Sequence, residues 1–99
     1  MKKVFISQPM NNKTEEEIRV DRKKLTVMTK ALFDEEIKII DSYFPNVNGK
    51  EKPLHLLGKG IELMANADAV VFAKGWQDYR GCRIEHTCAF EYGKRIIEL

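Results

Sequence analysis

The residues of this chain best suited to chemistry lie in one stretch, Gly75-Trp-Gln-Asp-Tyr-Arg-Gly-Cys-Arg-Ile-Glu-His86. The spacing predicts a helix over 82–92, on which Glu85 shares a stripe with Cys88, Ala89 and Tyr92. A carboxylate on an apolar stripe needs a reason. In the first turn of that helix, the dipole and unpaired N–H groups favour the ionised form that a nucleophile or an acceptor requires. The competing reading is a first-turn Glu that completes a helix cap or pairs with Arg80 or Arg83. Trp76 can stack on a flat ligand or act as a lid over the sheet edge, and Asp78 and Gly81 belong to the same polar, glycine-flanked loop. Arg80 and Arg83 can hold a phosphate near the helix start or form solvated ion pairs.

A second candidate segment is Ser7-Gln-Pro-Met10, whose backbone N–H groups can face a ligand, although it lacks the glycine pattern of a dinucleotide or P-loop site. Asp41 can meet a ribose hydroxyl or cap a turn. Cys82 and His86 are four residues apart, with Cys88 and His55 as further donors, but the paired short spacings of a closed zinc site are missing and no metal is expected. Ser7 and Ser42 lack elbow glycines, so no Ser-His-Asp arrangement is expected.

These residues must be positioned by alternating strands and helices. Lys3 to Ser7 is a β-branched and aromatic strand. Thr14 and Glu17 form a capping-box pattern that opens a helix over 14–33, with Ile18, Leu25, Met28 and Leu32 as its apolar stripe. Further strands are expected over 36–41, 69–73 and 95–99, a loop over 42–53, a helix over 54–67 through Leu54, Leu57, Ile61 and Met64, and a loop over 74–81. The pattern predicts one α/β domain spanning 1–99. Its architecture is a three-layer α/β/α Rossmann-like, flavodoxin-like sandwich with a parallel sheet of four strands in order 2-1-3-4. The topological switch then brings 7–10 and 74–81 together.

Composition excludes other classes. The 99 residues carry 43% hydrophobic and 32% charged side chains, near globular averages. A net charge of +2 is too balanced for a nucleic-acid polymer or an anionic membrane as partner. Apolar runs fall far short of the about 20 residues of a membrane span, and no secretory signal is recognisable, so a cytoplasmic protein with Cys82 and Cys88 as free thiols is expected.

Lys3-Val-Phe-Ile-Ser-Gln-Pro9, Ala67-Asp-Ala-Val-Val-Phe72, Gly81-Cys-Arg-Ile-Glu-His86 and Tyr92-Gly-Lys-Arg-Ile-Ile97 together resemble the nucleoside 2-deoxyribosyltransferase family over nearly the whole chain. The segment Arg80 to His86 with the Gly75-Trp76 loop is most similar to a branch of short bacterial and phage proteins. The resemblance implies that Glu85, in a Gly-x-x-x-Glu helix start, is a nucleophile toward a sugar C1′. It makes Phe5, Ser7, Gln8, Pro9, Met10, Asp41, Trp76, Asp78, Arg80, Gly81 and Arg83 the expected substrate-binding set. It implies no cofactor, a nucleoside or nucleoside 5′-monophosphate as ligand, and a homo-oligomer, dimer or larger. Two positions depart from the family: Phe5 stands where a Tyr is common, and Gly60 where an Asp assists the leaving base. Glu62 and Asp78 are then the remaining acids. The expected activity is an N-glycosidic hydrolase or transferase, with a non-catalytic nucleotide-binding or sensing module as the alternative and an interaction protein as a third.

Overall fold

Side-chain alternation in two central strands, one buried from Val4 onward and the other throughout, organises the molecule. The computed structural model describes residues 1–44 and 52–99. In it β1 (Lys2–Ser7), β2 (Ile37–Ile39), β3 (Ala69–Phe72) and β4 (Arg95–Glu98) form one parallel sheet in the order β2-β1-β3-β4, as expected. The central pair is in register from Val4 opposite Ala69 to Ser7 opposite Phe72. Because successive side chains point to opposite faces, Val4 and Ile6 join Leu25, Ile37 and Val71 on one side. Phe5 joins Met64, Val70, Phe72 and Ala89 on the other. Helix α1 (Glu15–Ala31) therefore covers the first face, and α2 (Pro53–Met64) and α3 (Arg80–Glu91) cover the second. Parallel strands buried on both faces read as the continuous apolar runs seen here.

The capping box of α1 is present in full. Glu17 N–H donates to Thr14 Oγ1 at 3.1 Å, and Thr14 N–H donates to Glu17 Oε1 at 2.9 Å. These bonds hold the Glu17 carboxyl below its ordinary value. The inward stripe of α1 differs from the expected one. Ile18, Leu25 and Thr29 are buried, whereas Met28 and Leu32 are about half exposed. The helix meets the sheet along the line of 18, 25 and 29, which places 28 and 32 at its flank. Likewise Leu54 and Tyr92 are exposed, and the inner face of α2 is formed by Gly60 and Met64.

Helix and strand ends shift by a few residues. The second strand is three residues long, α2 ends at Met64, and the expected 74–81 loop contains a single 3-10 turn over Trp76–Asp78 before α3 opens at Arg80. Gly75 supplies the left-handed backbone that this turn needs, at φ 87°. The end of α2 is held by β4's approach: Lys94 Nζ donates to the Ala65 and Ala67 carbonyls, both at 2.9 Å. The loop expected over 42–53 lies mostly outside the described residues. No helix among the described residues is long and apolar enough to cross a membrane.

Candidate active site

A cleft of about 1090 Å³ opens at the C-terminal ends of β1 and β3, where the switch in strand order leaves a crevice. Gln8, Pro9 and Met10 line one side, the segment from Asp78 to Glu85 lines another, and Phe5 and Gly60 lie deeper. The two loops expected to converge do so. A second concavity, about 490 Å³, lies at the opposite edge among Met1, Phe33 and Ile37 and brings no comparable set of groups together.

Glu85 is built into the cleft by three elements. It is the sixth residue of α3, in the second turn, because the helix starts two residues earlier than its expected beginning at Cys82. Helix-start N–H groups are therefore not its partners, and neither the expected cap role nor an ion pair with Arg80 or Arg83 is observed among the described residues. Its partner comes from β1: Ser7 Oγ donates to Glu85 Oε1 at 2.6 Å. Strand alternation turns Ser7 toward α3, on the same face as Phe5. From α2, Gly60 approaches so closely that a Cβ there would lie 2.8 Å from Glu85 Oε2 and 3.7 Å from Phe5 Cζ.

This enclosure decides the charge state. Burial pushes the Glu85 carboxyl up to about 7, outweighing the opposite pull of the Ser7 hydroxyl. The expectation that a helix start would hold the group ionised is thus corrected: desolvation wins. Cys82, also buried, has its thiol pushed up to about 11 by desolvation, with the Ser7 hydroxyl lowering it and Glu85 adding to the rise. It is a protonated thiol at neutral pH and no nucleophile. Cys88 is also free.

The other expected site residues separate into two groups. Phe5, Gln8, Pro9, Met10, Asp78, Arg80, Gly81 and Arg83 line the cleft with Glu85, and Ser7 stands behind the carboxylate. Trp76 does not line it. Its indole stacks on the His86 imidazole, centroids 4.1 Å apart and planes 4° from parallel, and both rings pack on Phe72. His86 Nε2, 3.6 Å from the Glu98 carboxylate, makes no hydrogen bond. Asp41 also lies outside the cleft lining, exposed beyond β2 and near Arg22, whose pKa burial lowers and Asp41 only partly restores. Arg83 is committed to the backbone, donating to the Gln77 carbonyl at 2.8 Å. Arg80 is exposed at the cleft wall with no hydrogen bond or ion pair to a described residue.

Sequence reasoning missed the apolar wall formed by Tyr43, Phe44, Leu56 and Leu57, and the lining cations Lys13 and Arg80 differ in kind. Lys13 is held by Asp21 at 2.7 Å, which raises its pKa. A usable signal for the contact at Gly60 was present. A glycine on the buried side of a helix weakens it and asks for a packing reason. Among known proteins, no protein-family model matches this chain, and no curated protein matches it.

Proposed function

We propose that this protein cleaves or exchanges the N-glycosidic bond of a nucleoside or nucleoside 5′-monophosphate, with Glu85 as nucleophile. The observation that carries the reading is the Glu85 carboxyl, part-buried in the cleft lining with one oxygen fixed by Ser7 and the other beside Gly60. The resemblance at Gly81 to Glu85 gives the substrate class, and the geometry gives a carboxylate with a defined orientation.

In the first step a carboxylate oxygen of Glu85 forms a bond to C1′ while the C1′–N bond breaks. The base leaves with the bonding pair and takes up a proton, through an oxocarbenium-like transition state. In the second, the oxygen of water or the nitrogen of another base attacks C1′ and releases the carboxylate. Only ionised Glu85 can begin the cycle, so turnover rises with pH through about 7. Phe5 gives the reacting centre an apolar wall and cannot donate a proton, so protonation of the leaving base falls to solvent or to exposed Asp78. Arg80 is the cation free to meet a 5′-phosphate, because Arg83 holds the Gln77 carbonyl. A homo-oligomer belongs to the same proposal.

The test is a panel of deoxynucleosides and their 5′-monophosphates, read for free base and for thermal stabilisation. Glu85→Gln should keep binding and lose nearly all base release, because an amide is a poor nucleophile. Arg80→Ala should weaken monophosphates more than nucleosides. Full activity in Glu85→Gln would sink the assignment. Stabilisation without base release in the unaltered protein would select a nucleotide-binding module instead, a reading favoured by Phe5 and Gly60, neither of which supplies a proton.

A further inference from the structure

We propose that Gly60 is a positioning residue for Glu85: the side chain missing from α2 leaves a notch that seats Oε2 and so keeps the carboxyl on Ser7. This role in a reaction rests on the proposed function, whereas the seating itself does not.

Two glycines of the same helix separate the effect from helix propensity. A Cβ built at Gly58 meets nothing within 4 Å, and one built at Gly60 meets Glu85 Oε2 at 2.8 Å. Separations that short essentially never occur between real Cβ atoms and their neighbours, so something must move. The atom that moves is Oε2, at the end of a flexible side chain, since the other contact, Phe5 Cζ at 3.7 Å, is ordinary van der Waals spacing. The sheet lies behind the carboxyl and the cleft before it. A methyl group at position 60 therefore drives the carboxyl away from α2 and toward solvent.

The surroundings say what that displacement changes. β1 presents Ser7 to the carboxyl and Phe5 to position 60, α2 presents Gly60, none of them charged, and α3 itself adds the Cys82 thiol. With no charged neighbour among the described residues shifting Glu85, burial sets its titration. Gly60 governs that burial from a second helix. Glycine in a helix interior is otherwise unfavourable relative to alanine, so the notch carries a standing stability cost.

The experiment compares Gly60→Ala with Gly58→Ala by following the Glu85 carboxyl carbon in an NMR pH titration, its signal assigned by loss in Glu85→Gln. In Gly60→Ala the midpoint should fall from about 7 toward the ordinary 4.5, and in Gly58→Ala it should stay in place. An unmoved midpoint in Gly60→Ala overturns the proposal. A thermal cycle covers the case in which Gly60→Ala folds poorly. In a Glu85→Ala background the notch is empty, so Gly60→Ala should raise Tm as Gly58→Ala does, whereas with Glu85 present it should not. Equal Tm changes in both backgrounds overturn the proposal. A shifted midpoint in a protein that releases no base would uphold the seating and remove the glycosidase reading, so the two fail separately.

Discussion

Glu85 illustrates how a single group can be held at a cost to the fold. Its carboxyl titrates near 7 in the folded chain and near 4.5 when unfolded, so between those values the native state keeps a proton that the unfolded chain has released. Stability present below about 4.5 is therefore lost as pH rises to about 7. The loss is roughly 3 to 4 kcal/mol if the shift from 4.5 to about 7 is realised in full, and less where the cleft admits water. Glu85→Gln has no such proton to lose. Urea unfolding should show its stability relative to the parent growing between pH 5 and pH 8, and a constant difference across that range would contradict the buried-carboxyl account. The sequence disclosed the carboxylate, through its place on a helix stripe beside apolar residues. It did not disclose the charge state, because that depends on Ser7 and Gly60, residues far from position 85 in the chain that meet it only across three elements.

At the scale of elements, local signals were read well and contact-dependent ones less so. The capping box of α1, the continuous run of β3 and the strand order all follow from short-range pattern and handedness. The inward stripe of α1 was misplaced because apolar Met28 and Leu32 compete with Thr29 for the same face, and the crossing against the sheet decided for Thr29. Glycines in α2 and an arginine and a glycine at the start of α3 likewise obscured both helix ends. One joint that no pattern announces is Lys94, whose ammonium donates to two carbonyls at the end of α2. Lys94→Ala leaves both acceptors without their donor and should cost about 1–3 kcal/mol. Chemical denaturation would measure it, and a change below a few tenths of a kcal/mol would mean that water replaces the ammonium fully.

For the whole molecule, the question is what covers the exposed apolar side chains. Phe90 is 70% exposed and Leu54 78%, on the helices that also form the cleft, whereas Leu63 packs into the core and Leu56 lines the cleft. On the outer side of α3 this leaves Phe90 uncovered. Val27, Met28 and Leu32 form another exposed group on α1. We infer self-association from these patches and from the sheet edges at β2 and β4, which pair with no further strand among the described residues. Light scattering at micromolar concentration should give a mass at least twice 11.5 kDa, and a monomer mass would refute it. The packing of Trp76 on His86 has a different consequence. This is the protein's single tryptophan, so all of its indole emission arises from one ring in face-to-face contact with an imidazole. The native fluorescence of the molecule is therefore a one-site optical readout of whether the turn before α3 is docked on Phe72 and His86, reported from just outside the cleft.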